Sequence, residues 1–263
     1  MSKAKAVNMV KKMICYLGGL FLMAIGVNLS KISGLGITPI TSIPRALEQI
    51  LGVTLGTSTV IIYLLVIVAQ LVLLRKNFRL KNALGIVITF VFSFMVDLTG
   101  SDPDAFGHLL VNFPHPEFYL LKLLLVIFSC FVIGIGVFIY IRPDWISMPV
   151  EALAIAMGQI FKKQTGTCKT MVDTTLVVVA LILQIIFLGG IRSFVSDGVV
   201  VREGTVIAAV FVGQIINFVS RKFGAPLDAW LSKGESKEEK KETGKESRKA
   251  EKQQVQAKET AGA

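Results

Sequence analysis

Residues 120–141 read LLKLLLVIFSCFVIGIGVFIYI, an apolar run interrupted only by Lys122, Ser129 and a few glycines. About 18 to 20 such residues, at a rise of ~1.5 Å each, cross a hydrocarbon core ~30 Å thick, so this stretch reads as a transmembrane helix. It has company. Residues 60–74 carry one strongly polar side chain, Gln70, and residues 176–190 carry only Gln184. The whole chain of 263 residues is 53% hydrophobic and 17% charged, with a mean hydropathy of +0.66. A soluble domain of this length needs a charged surface and places its apolar residues in short periodic stripes. Here they come in blocks, and the chain is too short to enclose them all in one soluble core.

Two other readings of the N-terminal region fail. Lys3, Lys5, Lys11 and Lys12 precede an apolar segment, as in a signal peptide, but no clear small-residue cleavage site follows and further spans do, so a retained first helix is expected. Cys15, Cys130 and Cys168 are scattered, two of them inside apolar runs, without disulfide or metal-ligand spacing. They read as small packing residues.

The expected fold is an all-α polytopic membrane protein with six spans, at about 13–30, 57–74, 83–99, 119–141, 170–189 and 204–220. Two semi-apolar segments, 38–51 and 148–161, are too short to cross comfortably and are expected to lie in the interface or re-enter the bilayer. Basic residues favour the cytoplasmic side. If the short segments do not cross, Lys3 to Lys12, the cluster Arg75, Lys76, Arg79 and Lys81, then Arg142, Lys162, Lys163 and Lys169, and finally Arg221 and Lys222 all fall inside. The loop 100–117, with Asp102, Asp104 and Glu117 and no Lys or Arg, falls outside. Eight spans would turn the Arg75 cluster outward. The organisation is therefore a basic cytoplasmic N-terminus (1–12), a first membrane unit (13–99), an extracytoplasmic loop (100–117), a second membrane unit (118–223) and a charged tail (224–263), in a bacterial cell membrane with both termini inside. From about Ser232 the chain becomes Lys, Glu, Gln and Ser, too polar to offset chain entropy by burial. The net charge of +10 suits anionic lipid headgroups; no basic motif with interleaved aromatics points to nucleic acid.

A shift of 110 positions superposes the sequence on itself. Gly26-Val27 meets Gly136-Val137, Pro39 meets Pro149, Gln49-Ile50 meets Gln159-Ile160, and Gly56-Thr57 meets Gly166-Thr167. After the next span the second half carries extra residues around 191–202, and Asp97 then aligns with Asn217. Each half holds three spans and one short segment. An odd number of crossings inserts the second copy upside down, the arrangement of two inverted three-helix repeats. Proteins built so are often transporters, with sites near the midplane formed by short or Gly/Pro-broken segments.

Gly34 to Pro39 (GLGITP), Leu55-Gly56-Thr57, and Glu203-Gly204-Thr205 followed by Gly213 and Asn217 resemble the YczE/YitT group of bacterial membrane proteins. The resemblance extends to about Phe223, and implies transport or efflux of a solute it does not specify. Leu84-Gly85 stands where the second half has Gly204-Thr205, and the second half lacks the Leu-Gly before its proline, so no shared site is expected to be symmetric.

Candidate chemistry gathers in the short segments. Thr38 reads as an N-cap with Pro39 as the first helical residue, followed by Thr41 and Ser42; Met148, Pro149 and Glu151 repeat the pattern. Two helix N-termini aimed at a central site would suit an anionic or carbonyl-bearing ligand; as packing elements they would simply start interfacial helices. Asp97, Glu151, Asp173 and Asn217 are the candidates for proton or ion coupling, since a charge within the membrane usually faces a cavity or a partner. Each also has a structural reading: Asp97 near water, Glu151 in a first turn where the dipole favours it, and Asp173 four residues after Lys169. Asn28, Gln70, Gln184, Gln214 and Asn217 default to interhelical hydrogen bonds. His108 and His115 read as loop residues, and no Walker-type motif or catalytic constellation appears. The expectation is a secondary transporter of a small solute, without metal or other cofactor and not an enzyme; the alternative is a non-transporting helper or receptor that docks through its basic tail.

Overall fold

The computed structural model describes residues 3–75, 83–100, 109–162, 165–188 and 199–232. Lys76, Arg79, Lys81 and Lys163, residues 101–108 of the 100–117 loop, residues 191–198 of the 191–202 insertion and the tail from residue 233 lie outside the described residues.

Eight α-helices and no strands occur among the described residues: α1 (Lys3–Ser33), α2 (Pro39–Leu51), α3 (Leu55–Leu74), α4 (Gly85–Leu98), α5 (Tyr119–Ile141), α6 (Pro149–Phe161), α7 (Thr165–Phe187) and α8 (Glu203–Ser232). Five of them, α1, α3, α5, α7 and α8, are long and apolar enough to cross a bilayer. Their outward faces carry Leu65, Val72, Phe128 and Ile186, each at least half exposed, a surface that suits lipid and not water. The protein is a membrane-spanning polytopic chain, all-helical among the described residues. The expected third span, 83–99, corresponds to the 14-residue α4, about 21 Å long, whose approach through 76–82 is outside the described residues. At the other end α8 continues past the expected boundary at 223 to Ser232. Arg142 pairs with Asp228 at 2.7 Å, Lys11 sits 4.8 Å from the Trp230 ring, and Leu231 is buried, so Pro226 does not stop the helix.

Backbone landmarks recur at the 110-residue shift. The short helices have matching bounds, Pro39–Leu51 and Pro149–Phe161. Their preceding residues are nearly superposable, Thr38 at φ −61°, ψ 151° and Met148 at φ −59°, ψ 151°. Both end in a left-handed residue, Gly52 at φ 67° and Lys162 at φ 51°. A second left-handed pair, Gly34 (φ 69°) and Asp144 (φ 50°), ends the preceding helices. α3 and α7 then begin at Leu55 and Thr165.

The centre of the bundle is the crossing of α1 and α5, the most extensive helix pairing in the protein. A Cβ added at Gly19 would lie 2.7 Å from the Gly136 carbonyl oxygen, and one at Gly136 would lie 2.8 Å from that of Gly19. Further along, a Cβ at Gly26 would lie 3.2 Å from the Ser129 carbonyl oxygen. Residue numbers rise along α1 as they fall along α5, so the two helices run antiparallel. Gly26 and Gly136 are counterparts under the shift, as are Gly19 and Ser129, so the two close approaches exchange with each other. Around this axis α2 and α6 each pack against both α3 and α7. α4 packs on α1 and α8 on α5, again as counterparts. The exchange fails at two places among the described residues: α3 packs on α4 with no comparable packing of α7 on α8, and α1 meets α8 with no comparable meeting of α5 and α4.

Candidate functional site

The two short helices begin inside the bundle. Ile37, just before α2, shares one buried cluster with Met148 and Val150 at the start of α6 and with Tyr63, Val172 and Leu176 of the flanking spans. Ser42 donates 2.7 Å to the Pro39 carbonyl and 3.4 Å to that of Leu176, at the midpoint of α7. Pro39, lacking an N–H, costs nothing in a first turn where that donor would be unpaired. Thr38 does not cap the helix with its side chain; its hydroxyl meets that of Thr41 at 2.8 Å. At α6, Met148 is buried, and the Pro149 carbonyl accepts 2.7 Å from the Gln70 side chain of α3. Both helix starts are therefore held by neighbouring spans, close to the centre.

Glu151 and Asp173 are brought together. Glu151 lies in the first turn of α6 and interacts electrostatically with both Asp173 and Lys169 of α7. Lys169 Nζ stands 3.6 Å from Asp173 Oδ2, longer than a direct charge-assisted hydrogen bond of about 2.7–2.9 Å. The other oxygen, Asp173 Oδ1, is buried without a hydrogen-bond partner. So is the hydroxyl of Tyr63, a side chain only 1% exposed that feels the charges of Glu151 and Asp173. A buried polar atom left unbonded costs roughly 1–3 kcal/mol, so such atoms concentrate where something else is meant to bond them. Tyr63 was not among the residues singled out from the sequence, although a signal existed: it is the counterpart of Asp173 under the 110-residue shift, just as Thr41 is that of Glu151.

The other two coupling candidates lie elsewhere. Asp97, near the C-terminal end of α4, accepts 2.8 Å from the Gly56 amide and 2.9 Å from the Thr54 hydroxyl. It neutralises the start of α3, and its carboxylate fills the space a side chain at Gly56 would need. Asn217 is exposed on α8. The amides expected to bridge helices do so at two places, Gln70 as above and Asn28 donating 2.8 Å to the Val96 carbonyl; Gln184 instead accepts 2.9 Å from the amide of Val201, in the segment before α8.

Sequence reading also passed over a buried ion triad. Lys31 Nζ meets Glu48 Oε1 at 2.6 Å and Arg45 meets Glu48 Oε2 at 2.7 Å, with all three side chains at most 15% exposed. Beside it the motif segments meet: the Gly204 amide donates 2.8 Å to the Leu35 carbonyl, and a Cβ on Gly36 would lie 2.6 Å from Thr205 Oγ1. Gly36, at φ 102°, and Gly204 thus serve close packing between distant parts of the chain.

The class of protein is thus a membrane-spanning helical bundle in which one buried oxygen of the Asp173 carboxylate stays unbonded. The chain belongs to a family of unknown function, DUF6198, whose model matches residues 10–221. It is also similar to the uncharacterized protein YyaS of Bacillus subtilis (strain 168), 25% identical over 166 residues, which are 63% of this chain and 78% of the relative. No solved structure matches.

Proposed function

We propose that this protein is a secondary transporter of a small solute, working by alternating access between two inverted three-span halves in a bacterial cell membrane with both termini cytoplasmic. The observation that carries the reading is the antiparallel crossing of the counterpart helices α1 and α5, with Gly19 against Gly136 and Gly26 against Ser129. Counterparts that run in opposite directions are what an odd number of crossings per half requires, and α4 supplies the third crossing in the first half. Inverted halves make two conformations of the same contacts available, one open to each side, with the site between them. Glu151 and Asp173, with Lys169 beside them, occupy that place and supply proton or ion coupling; Thr38, Pro39, Thr41, Ser42, Met148 and Pro149 line the approach from the helix starts. The resemblance to the YczE/YitT group points the same way. No catalytic role is assigned to any residue.

The test is topology. In a cysteine-free background, Arg79→Cys is expected to react with an impermeant maleimide only after permeabilisation of cells, and His115→Cys in intact cells. Labelling of Arg79→Cys from outside would remove the inverted geometry and the transport reading with it.

A further inference from the structure

Resting on the transporter reading, we propose that the central site takes a small organic monocation bearing an ammonium group, and that Lys169 is its built-in stand-in. The local charge balance comes first. Glu151 and Asp173 bring two carboxyl groups and Lys169 one ammonium, so the acids outnumber their resident cation two to one. Lys169 is a loose occupant: its contact to Asp173 is 3.6 Å, and its side chain is 41% exposed. It can leave for water when a better cation arrives. The second observation concerns hydrogen bonding. The Tyr63 hydroxyl and Asp173 Oδ1 are buried, lack hydrogen-bond partners, and so offer oxygen acceptors to the N–H groups of a guest.

The walls narrow the class of cation. Tyr16 and Tyr140, with Trp145 packed against them, share one buried cluster with Val150 and Val172, the chain neighbours of Glu151 and Asp173, and the Tyr16 ring stands 5.8 Å from that of Tyr140 and 5.9 Å from that of Trp145. Tyr63 is stacked on Phe92 at 6.4 Å. Aromatic faces attract alkylammonium groups and bury their carbons, whereas a divalent metal takes six or more oxygen ligands. No group of three metal-binding side chains occurs among the described residues. An anion fits poorly, because Glu151 already occupies the first turn of α6 and would repel it.

The experiment uses the full chain in lipid nanodiscs, with propylammonium, phenethylammonium, potassium and propionate as calorimetric probes. The two ammonium probes are expected to bind, and potassium and propionate to leave no heat. Glu151→Gln should weaken ammonium binding about tenfold or more. Lys169→Ala should tighten it about five-fold, because the competitor is gone; a purely structural lysine would not do so. Should Lys169→Ala not fold, Lys169→Met, which keeps the stem, carries the same expectation. Preference for propionate, unchanged affinity in Glu151→Gln, or weaker binding in both lysine variants would each overturn the proposal. Counterflow of radiolabelled propylammonium in proteoliposomes separates the two readings. Binding without flux upholds the site and removes transport; flux of an anion without ammonium binding upholds transport and removes the cation.

Discussion

Where the first half of the bundle carries Lys31 in the last turn of α1 and Arg45 and Glu48 in α2, the second half carries Ile141, Ile155 and Gly158 at the counterpart positions. Where the first half has Thr41 and Tyr63 near the centre, the second has Glu151 and Asp173. Lys31, Arg45 and Glu48 are buried in short ion pairs; Lys169 and Asp173 stand 3.6 Å apart, with one Asp173 oxygen unbonded. A shared backbone has thus been filled in two ways. Paired charges in a dry site fix one arrangement, because any movement leaves a charge uncompensated. Under-bonded charges leave the arrangement open to a guest. The first half has the chemistry of an anchor and the second that of a site.

The anchor gives the largest expected effect. Glu48→Ala leaves Lys31 and Arg45 buried without their carboxylate, and should cost about 3–5 kcal/mol, read as loss of monodisperse protein or a steep fall in Tm. The triple variant K31I/R45I/E48A adopts the apolar solution of the second half and should recover most of that loss. If Glu48→Ala is as stable as the parent, the contrast between locked and open charges disappears.

Next comes the axis that both halves share. Gly136→Leu drives a side chain into the Gly19 carbonyl and Met23, and should cost about 1–3 kcal/mol or more, since the Gly19 carbonyl is backbone that cannot turn away. Gly213→Leu on α8, where an added Cβ meets nothing within 4 Å, is the control and should keep the parent Tm.

Asp97 and Asn217 sharpen the comparison at the outermost helices. Asp97→Asn keeps the shape but removes the charge at the start of α3, for an expected loss of about 1 kcal/mol. Asn217→Ala should leave thermal stability unchanged, because that side chain is exposed on a helix that does not pack against α7. Equal effects in the two variants would mean that the halves are more alike at this point than their packing suggests.

Much of the backbone was legible beforehand, because proline and glycine constrain it locally. Pro39 and Pro149 start their helices, and the expected segments 38–51 and 148–161 differ from α2 and α6 by one residue. The shift of 110 found in Gly26, Pro39 and Gly56 reappears in helix bounds and in left-handed residues that are not glycine, Asp144 and Lys162. The charges were less legible. Reading them as markers of the cytoplasmic side passes over Lys31 and Arg45, which lie at the other end of α1 from Lys11 and Lys12 and are neutralised by tertiary pairing with Glu48. Asp97 and Asp173 look equivalent in sequence, as single acids in apolar helices. Only the packing of α4 on α3 gives one of them a helix start to cap and leaves the other with an unbonded oxygen.

The smallest effect probes how each half bonds the same carbonyl. In the first half the Pro39 carbonyl is satisfied by Ser42 of its own helix, and the counterpart of Gln70 on α7 is Ala180. In the second half the counterpart of Ser42 is Ala152, and Gln70 reaches across from α3 to the Pro149 carbonyl. Each carbonyl thus has one donor and one alanine at these two positions, exchanged between helix and neighbour. Gln70→Ala should leave the Pro149 carbonyl unbonded at a cost of about 1 kcal/mol, read as a modest fall in Tm. Adding Ala152→Ser installs the solution of the first half and should restore the parent value. The rescue depends on the two helix starts having the same geometry, since a serine hydroxyl three residues on reaches the carbonyl only when the first turn of α6 matches that of α2. Failure of the double variant to recover, with Gln70→Ala alone destabilised, would show that the first turns differ and that their equivalence stops at the backbone angles of Thr38 and Met148.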